Sequence, residues 1–142
     1  MTLEKMVKFC PAIRNALQKG FIDLDDATFD FEDITPVYRG VKMRKDENRP
    51  LKRSDFSSQI ERFGPERQEA FKNDRGKYSC SCFMTKESLF RNYKSIVREP
   101  DRFRYAKGTI RKQNGAIMTG DTDHIHWFLY DGSAPESDFK VE

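Results

Sequence analysis

His124-Ile125-His126-Trp127-Phe128-Leu129-Tyr130 holds both histidines of the chain and its only tryptophan. The stretch is built from β-branched and aromatic residues, which suit a pleated, half-buried backbone, so it is read as a strand. Strand side chains alternate between faces, which puts Ile125, Trp127 and Leu129 on a core face and His124 and His126 together on the other. Imidazole can bind a metal, carry a proton or grip a phosphate near neutral pH. The stretch alone leaves those three uses open.

Working outward, Phe103 to Ile110 and Ala116 to Met118 read as strands, and Asn114-Gly115 between them is a hairpin signal. Downstream, Asp131-Gly132 ends the histidine strand, and Phe139 and Val141 suit a last edge strand. Thr35 to Val41 and the alternating Lys77 to Phe83 are further strands. Thr85 is placed to cap a helix carrying Leu89, Phe90, Tyr93, Ile96 and Val97 at helical spacing, with Pro100 past its end. Ser54 is placed to cap a helix from Asp55 to about Phe63, broken by Gly64-Pro65, with a further turn or two over Glu66 to Lys72. Residues 2–19 follow helical spacing through Leu3, Met6, Val7, Cys10, Ile13 and Leu17. Pro11 there predicts a kink or two short helices, and residues 1–20 are expected to pack on the domain. The whole is an α+β fold over residues 1–142: a single domain with a mixed, largely antiparallel sheet of four to six strands and two to three helices.

Bulk properties agree with a folded domain. The 142 residues are 35% charged and 37% hydrophobic, and twelve Phe, five Tyr and one Trp supply a core that a disordered chain lacks. No run of 18 apolar residues marks a membrane span, and the first residues carry no apolar leader, so the expected compartment is cytoplasmic. Three cysteines, Cys10, Cys80 and Cys82, do not make a disulfide framework. The net charge of +3 is unevenly spread. Asp23 to Asp33 carries six acids and no base, whereas Arg39 to Arg53 carries seven bases and two acids. Residues 42–53, polar and interrupted by Pro50, read as a basic loop. It is either a solvated surface or a mobile contact for nucleic acid or a protein partner.

Several residues sit where alternation makes a plain core role awkward. Arg39 shares a strand face with Val37 and Val41, so it either pairs, snorkels at an edge or enters a polar pocket. Gly40 beside it permits close approach of a backbone or ligand. Ser79 and Ser81 share one face of their strand, with Cys80 and Cys82 on the other as small core residues. The same residues also spell a zinc alternative, Cys80 and Cys82 with His124 and His126, or the two histidines with Asp121 or Asp123. The one-residue spacing of the cysteines is unusual for zinc, and no metal is expected. No Ser-His-Asp arrangement and no glycine-rich phosphate loop is present.

The order of elements resembles the ADP-ribosyltransferase-like fold. A Tyr38-Arg39-Gly40 strand is followed by Ser79-Cys80-Ser81-Cys82-Phe83 running into a helix from Thr85, and then by a later strand with polar residues. The resemblance covers about residues 35–130. It implies that Arg39 contacts a dinucleotide such as NAD and that the serine strand braces the pocket. Where such proteins carry a Glu on the later strand, His124 or His126 stands here, a departure that speaks against efficient transfer from NAD. Members such as RNA 2′-phosphotransferases use His and Arg instead. The chain is also similar to small bacterial or phage proteins of no established function, with Tyr-Arg-Gly-Val, a later Asp-Phe and a Val-Ser-Val-Phe strand. Cys80 and Cys82 stand at the valines of that strand. The reading is a transferase-like cleft taking a nucleotide or phosphorylated ligand. Its acting residues are Arg39, Ser81 and His124, and its binding residues Tyr38, Arg39, Gly40, Ser79, Ser81 and His126. The alternative is a non-enzymatic, phage- or defence-linked factor binding nucleic acid or protein through residues 42–53.

Overall fold

The alternation of the histidine stretch is realised in β5 (His124–Leu129), an inner strand of a six-stranded antiparallel sheet. A computed structural model describes residues 1–120 and 123–142. The other strands are β1 (Ile34–Lys42), β2 (Cys80–Phe83), β3 (Phe103–Ile110), β4 (Gly115–Thr119) and β6 (Phe139–Val141), in the spatial order β4-β5-β2-β1-β3-β6. The expected α+β class holds. Every strand pairing is antiparallel, and β6 is the expected edge.

The tryptophan face of the sheet is sealed. Val37, Val41, Cys80, Cys82, Ala106, Ile110, Ile125, Trp127 and Leu129 form one buried cluster with Phe56 and Phe139. Four strand spacings separate β5 from β6, about 19 Å if the sheet were flat. Yet the Trp127 and Phe139 rings lie 6.2 Å apart. The sheet therefore curls around this core. Gly108 permits the closure, since a Cβ there would stand 2.3 Å from the Phe139 ring.

The histidine face carries two separate apolar clusters. Helices α1 (Leu3–Met6) and α2 (Pro11–Gln18) realise the expected break at Pro11, and Ile13, Ala16 and Leu17 of α2 pack with Ala116 and Phe128. At the other end Leu89 of α5 (Lys86–Asn92) packs on Tyr38 and Phe83. The two histidines lie on the floor between these clusters. Among the described residues no helix is long and apolar enough to cross a membrane.

Four local expectations need correction. Asn114-Gly115 makes no hairpin: Lys112–Asn114 form a short 3-10 turn, and β4 pairs with β5 rather than with β3. Gly115 is extended, with φ 163°, and serves a close approach instead, since a Cβ would stand 2.3 Å from the Phe128 carbonyl. Ser54 caps no α-helix. Arg53–Phe56 is a 3-10 turn, and α3 (Gln59–Arg62) is capped by Ser58, whose backbone N–H donates to the Glu61 carboxylate while the Glu61 N–H donates to Ser58 Oγ in a capping box. The chain becomes strand only at Cys80, because Arg75–Tyr78 form another 3-10 turn. The helix after Thr85 stops at Asn92, where Tyr93 leaves helical geometry. It resumes as α6 (Ser95–Arg98), which leaves Val97 64% exposed rather than inward. Helix α4 (Pro65–Phe71) completes the set.

Candidate functional site

Strands β1 and β2 pair at a single position, Tyr38 opposite Phe83. Continued, the ladder would set Gly40 opposite Ser81. Instead, the Arg39 guanidinium enters the gap and Nη1 donates to the Ser81 carbonyl at 2.9 Å. Arg39 Nε donates to the Asp55 carbonyl at 2.9 Å and Nη2 to the Ser57 carbonyl at 3.2 Å. Arg39 is 7% exposed, and its charge is solvated by three carbonyl dipoles, with no ion pair to a carboxylate among the described residues. Guanidinium has five N–H groups, so one on each terminal nitrogen remains.

The gap opens into a cavity of about 260 Å³. Arg39, Ser81 and His124, from three neighbouring strands, all line it, as do Gly40 and Ser79. Tyr38 and His126 do not. Tyr38 is 8% exposed and packs against Phe83, Leu89 and Tyr105. Gly40 does allow a close approach, and the group that makes it is Tyr93: a Cβ on Gly40 would stand 1.9 Å from Tyr93 Cδ1.

Ser79 and His126 form a buttress behind the cavity. Ser79 Oγ donates to the Gly76 carbonyl at 2.9 Å and lies 2.9 Å from His126 Nδ1. The single hydroxyl proton is thus committed to Gly76, which assigns the proton on Nδ1 to His126 as donor. Ser79 is accordingly no nucleophile activated by His126. The His126 ring lies 4.1 Å from that of His124, which in turn stacks on Phe83 at 4.6 Å. Burial, then the neighbouring His126, holds the His124 imidazole down at about 4. Burial and the positive charge of Arg75 lower His126 as well, against the pull of Asp74. Both rings are neutral at pH 7, so His124 stands in the cavity wall as an imidazole, not as an imidazolium.

The zinc alternative that joins Cys80 and Cys82 to the two histidines does not form. Cys80 and Cys82 sit in the sealed core opposite Trp127 and Ile125, while the histidines occupy the other face. The Cys82 thiol is held well above its ordinary range by its hydrogen bond with Cys80 and by burial. Asp121 lies outside the described residues. Asp123 is exposed and accepts from Thr85 Oγ1 at 3.4 Å. Among the described residues no three His, Cys, Asp or Glu side chains gather as a metal site.

The cavity wall also contains Gln59, Arg62 and Asn92, which the sequence did not single out, and Tyr93, which it placed only on the apolar face of a helix. Ser58-x-x-Glu61 was the available signal. A capping box there starts α3 and sets Gln59 and Arg62 three apart on one helix face. Two arginines and several neutral polar groups thus line the cavity, and among the described residues no Asp or Glu lines it. That composition suits an anion.

The basic loop is more firmly held than expected. Met43 is 1% exposed within the core. Arg49 forks onto Asp55 through two contacts of 2.9 Å and reaches Glu47 at 3.1 Å. Lys42, Arg44, Lys45 and Lys52 remain exposed.

Comparison with protein-family models, curated proteins and solved structures finds no match to the chain.

Proposed function

We propose that the cavity is the ligand site of a small ADP-ribosyltransferase-like protein and that it takes a nucleotide or another phosphorylated ligand. One observation carries this reading: Arg39 and Arg62 line one cavity with Ser81 and His124, with no carboxylate lining it among the described residues. The resemblance through Tyr38-Arg39-Gly40 and the serine strand supports the same reading. In it, Arg39 offers charge and its two remaining N–H groups, Ser81 Oγ hydrogen-bonds a sugar or phosphate oxygen, and neutral His124 accepts or donates one bond. The volume, about 260 Å³, lies under the ~300–1,000 Å³ usual for small-molecule sites. A phosphorylated nucleoside portion is enclosed, and the remainder of a dinucleotide such as NAD extends outside.

Binding is the stronger part of the reading. Among the described residues no lining carboxylate supports a cationic glycosyl transition state, and His124, neutral at pH 7, cannot supply that charge. Calorimetry and thermal-shift titration with ADP-ribose, NAD and nucleoside phosphates test it. Saturable binding of at least one of them is expected, with slow or no cleavage of NAD. The reading falls if none binds.

A further inference from the structure

We infer that Arg62 is the residue that takes the phosphate in this cavity, closing a phosphoryl group against the floor made by Arg39. The inference rests on the phosphorylated-ligand reading above and adds to it the contact that selects phosphate.

The two arginines differ in how the protein already uses them. Arg39 is buried and fixed by three carbonyls, so most of its donors are spent on joining β2 to the 55–57 segment. Arg62 is exposed on the last turn of α3 and makes one long bond, from Nε to the Ser58 carbonyl at 3.4 Å. Among the described residues no carboxylate lies within 4.0 Å of it, although six of the other arginines, Arg14, Arg44, Arg49, Arg75, Arg102 and Arg111, are ion-paired. Both terminal nitrogens of Arg62 therefore keep the fork that matches two phosphate oxygens.

The surroundings fit the same ligand. Tyr93 lies within the electrostatic reach of both Arg39 and Arg62, and burial keeps its hydroxyl protonated. Asn92 donates to the Ser88 carbonyl at 2.8 Å, which leaves its side-chain oxygen for a ligand hydroxyl. A phosphoryl group beside a sugar satisfies this set of donors and acceptors. A free carboxylate or an apolar ligand would leave part of it unused.

Calorimetric titration of the full chain with ADP-ribose tests the inference, using Arg62→Gln, Arg62→Lys and, as a charge control, Arg91→Gln. Arg91 is exposed on α5 and does not line the cavity. Arg62→Gln is expected to weaken binding about ten- to hundredfold, with Arg62→Lys intermediate and Arg91→Gln within about twofold of the native protein. Unchanged binding in Arg62→Gln, or equal losses in Arg62→Gln and Arg91→Gln, overturns the inference and leaves the proposed function standing. If the native protein binds neither ADP-ribose nor any nucleoside phosphate, both fall. Unchanged melting temperatures of the variants separate lost contact from lost fold.

Discussion

Arg39 joins three pieces of chain through carbonyl acceptors, and an arginine so used is a structural brace as well as a cavity wall. Arg39→Met keeps most of the volume but strands the carbonyls of Asp55, Ser57 and Ser81. Its expected cost in urea denaturation is about 3 kcal/mol or more, at roughly 1–3 kcal/mol for each unsatisfied group. Arg62→Gln should stay within about 0.5 kcal/mol of native, as surface substitutions do. The histidines set a pH dependence whose sign follows from their environment. Their folded values lie below the ordinary 6.5, so the unfolded chain binds protons first as the pH falls. Stability is then full above pH 6.5 and declines toward pH 4, by at most about 1.4 kcal/mol per pH unit for each histidine. Urea midpoints measured between pH 7 and 4.5 should show this decline, and His124→Asn should flatten it. A midpoint independent of pH over that range would contradict the burial of the pair.

At the scale of elements, the seating of α5 depends on one glycine. Gly40→Ala drives a Cβ into the Tyr93 ring, so the end of α5 must shift, at an expected cost of about 1–3 kcal/mol. In the double variant with Tyr93→Ala the two losses should add to less than their sum, because removing the ring removes the clash. Full additivity would mean that the ring does not rest on β1. The elements that were legible in the sequence are those whose signal is local and sufficient. The alternation of β5, Thr85 as a cap, Pro11 as a break and the edge position of β6 are of this kind. Asn114-Gly115 misled because a turn dipeptide states only that the chain can reverse. Whether the flanking strands become neighbours is decided by their partners, and β3 found β1 and β6 while β4 found β5. Arg39, Ser81 and His124 were legible as a set because alternation set them at odds with a plain core. Arg62 was not, since an exposed arginine on a short helix looks like any solvated one until the cavity is seen.

Across the whole molecule, the two faces of the sheet divide the work. The tryptophan face is a closed core whose curl brings β5 and β6 together, and the histidine face is left open between its two apolar clusters. Stability and ligand binding should therefore respond to different substitutions. Trp127 is fully buried at the centre of the curl, and Trp127→Ala is expected to cost on the order of 3–5 kcal/mol. Its indole lies on the face opposite His124, so the variant, measured well below its melting temperature, should bind ADP-ribose within a few-fold of native. Arg62→Gln should show the reverse, native stability with weakened binding. Ligand linkage offers the check in one experiment. At a hundredfold excess over Kd, a ligand that binds only the folded chain stabilises it by about 2.7 kcal/mol. Native protein and Trp127→Ala should gain similar increments from ADP-ribose, starting from different baselines, whereas Arg62→Gln should gain much less at the same concentration. A Trp127→Ala variant that remains folded but has lost the increment would show that the core sets the cavity's shape, and the separation of the two faces would have to be given up.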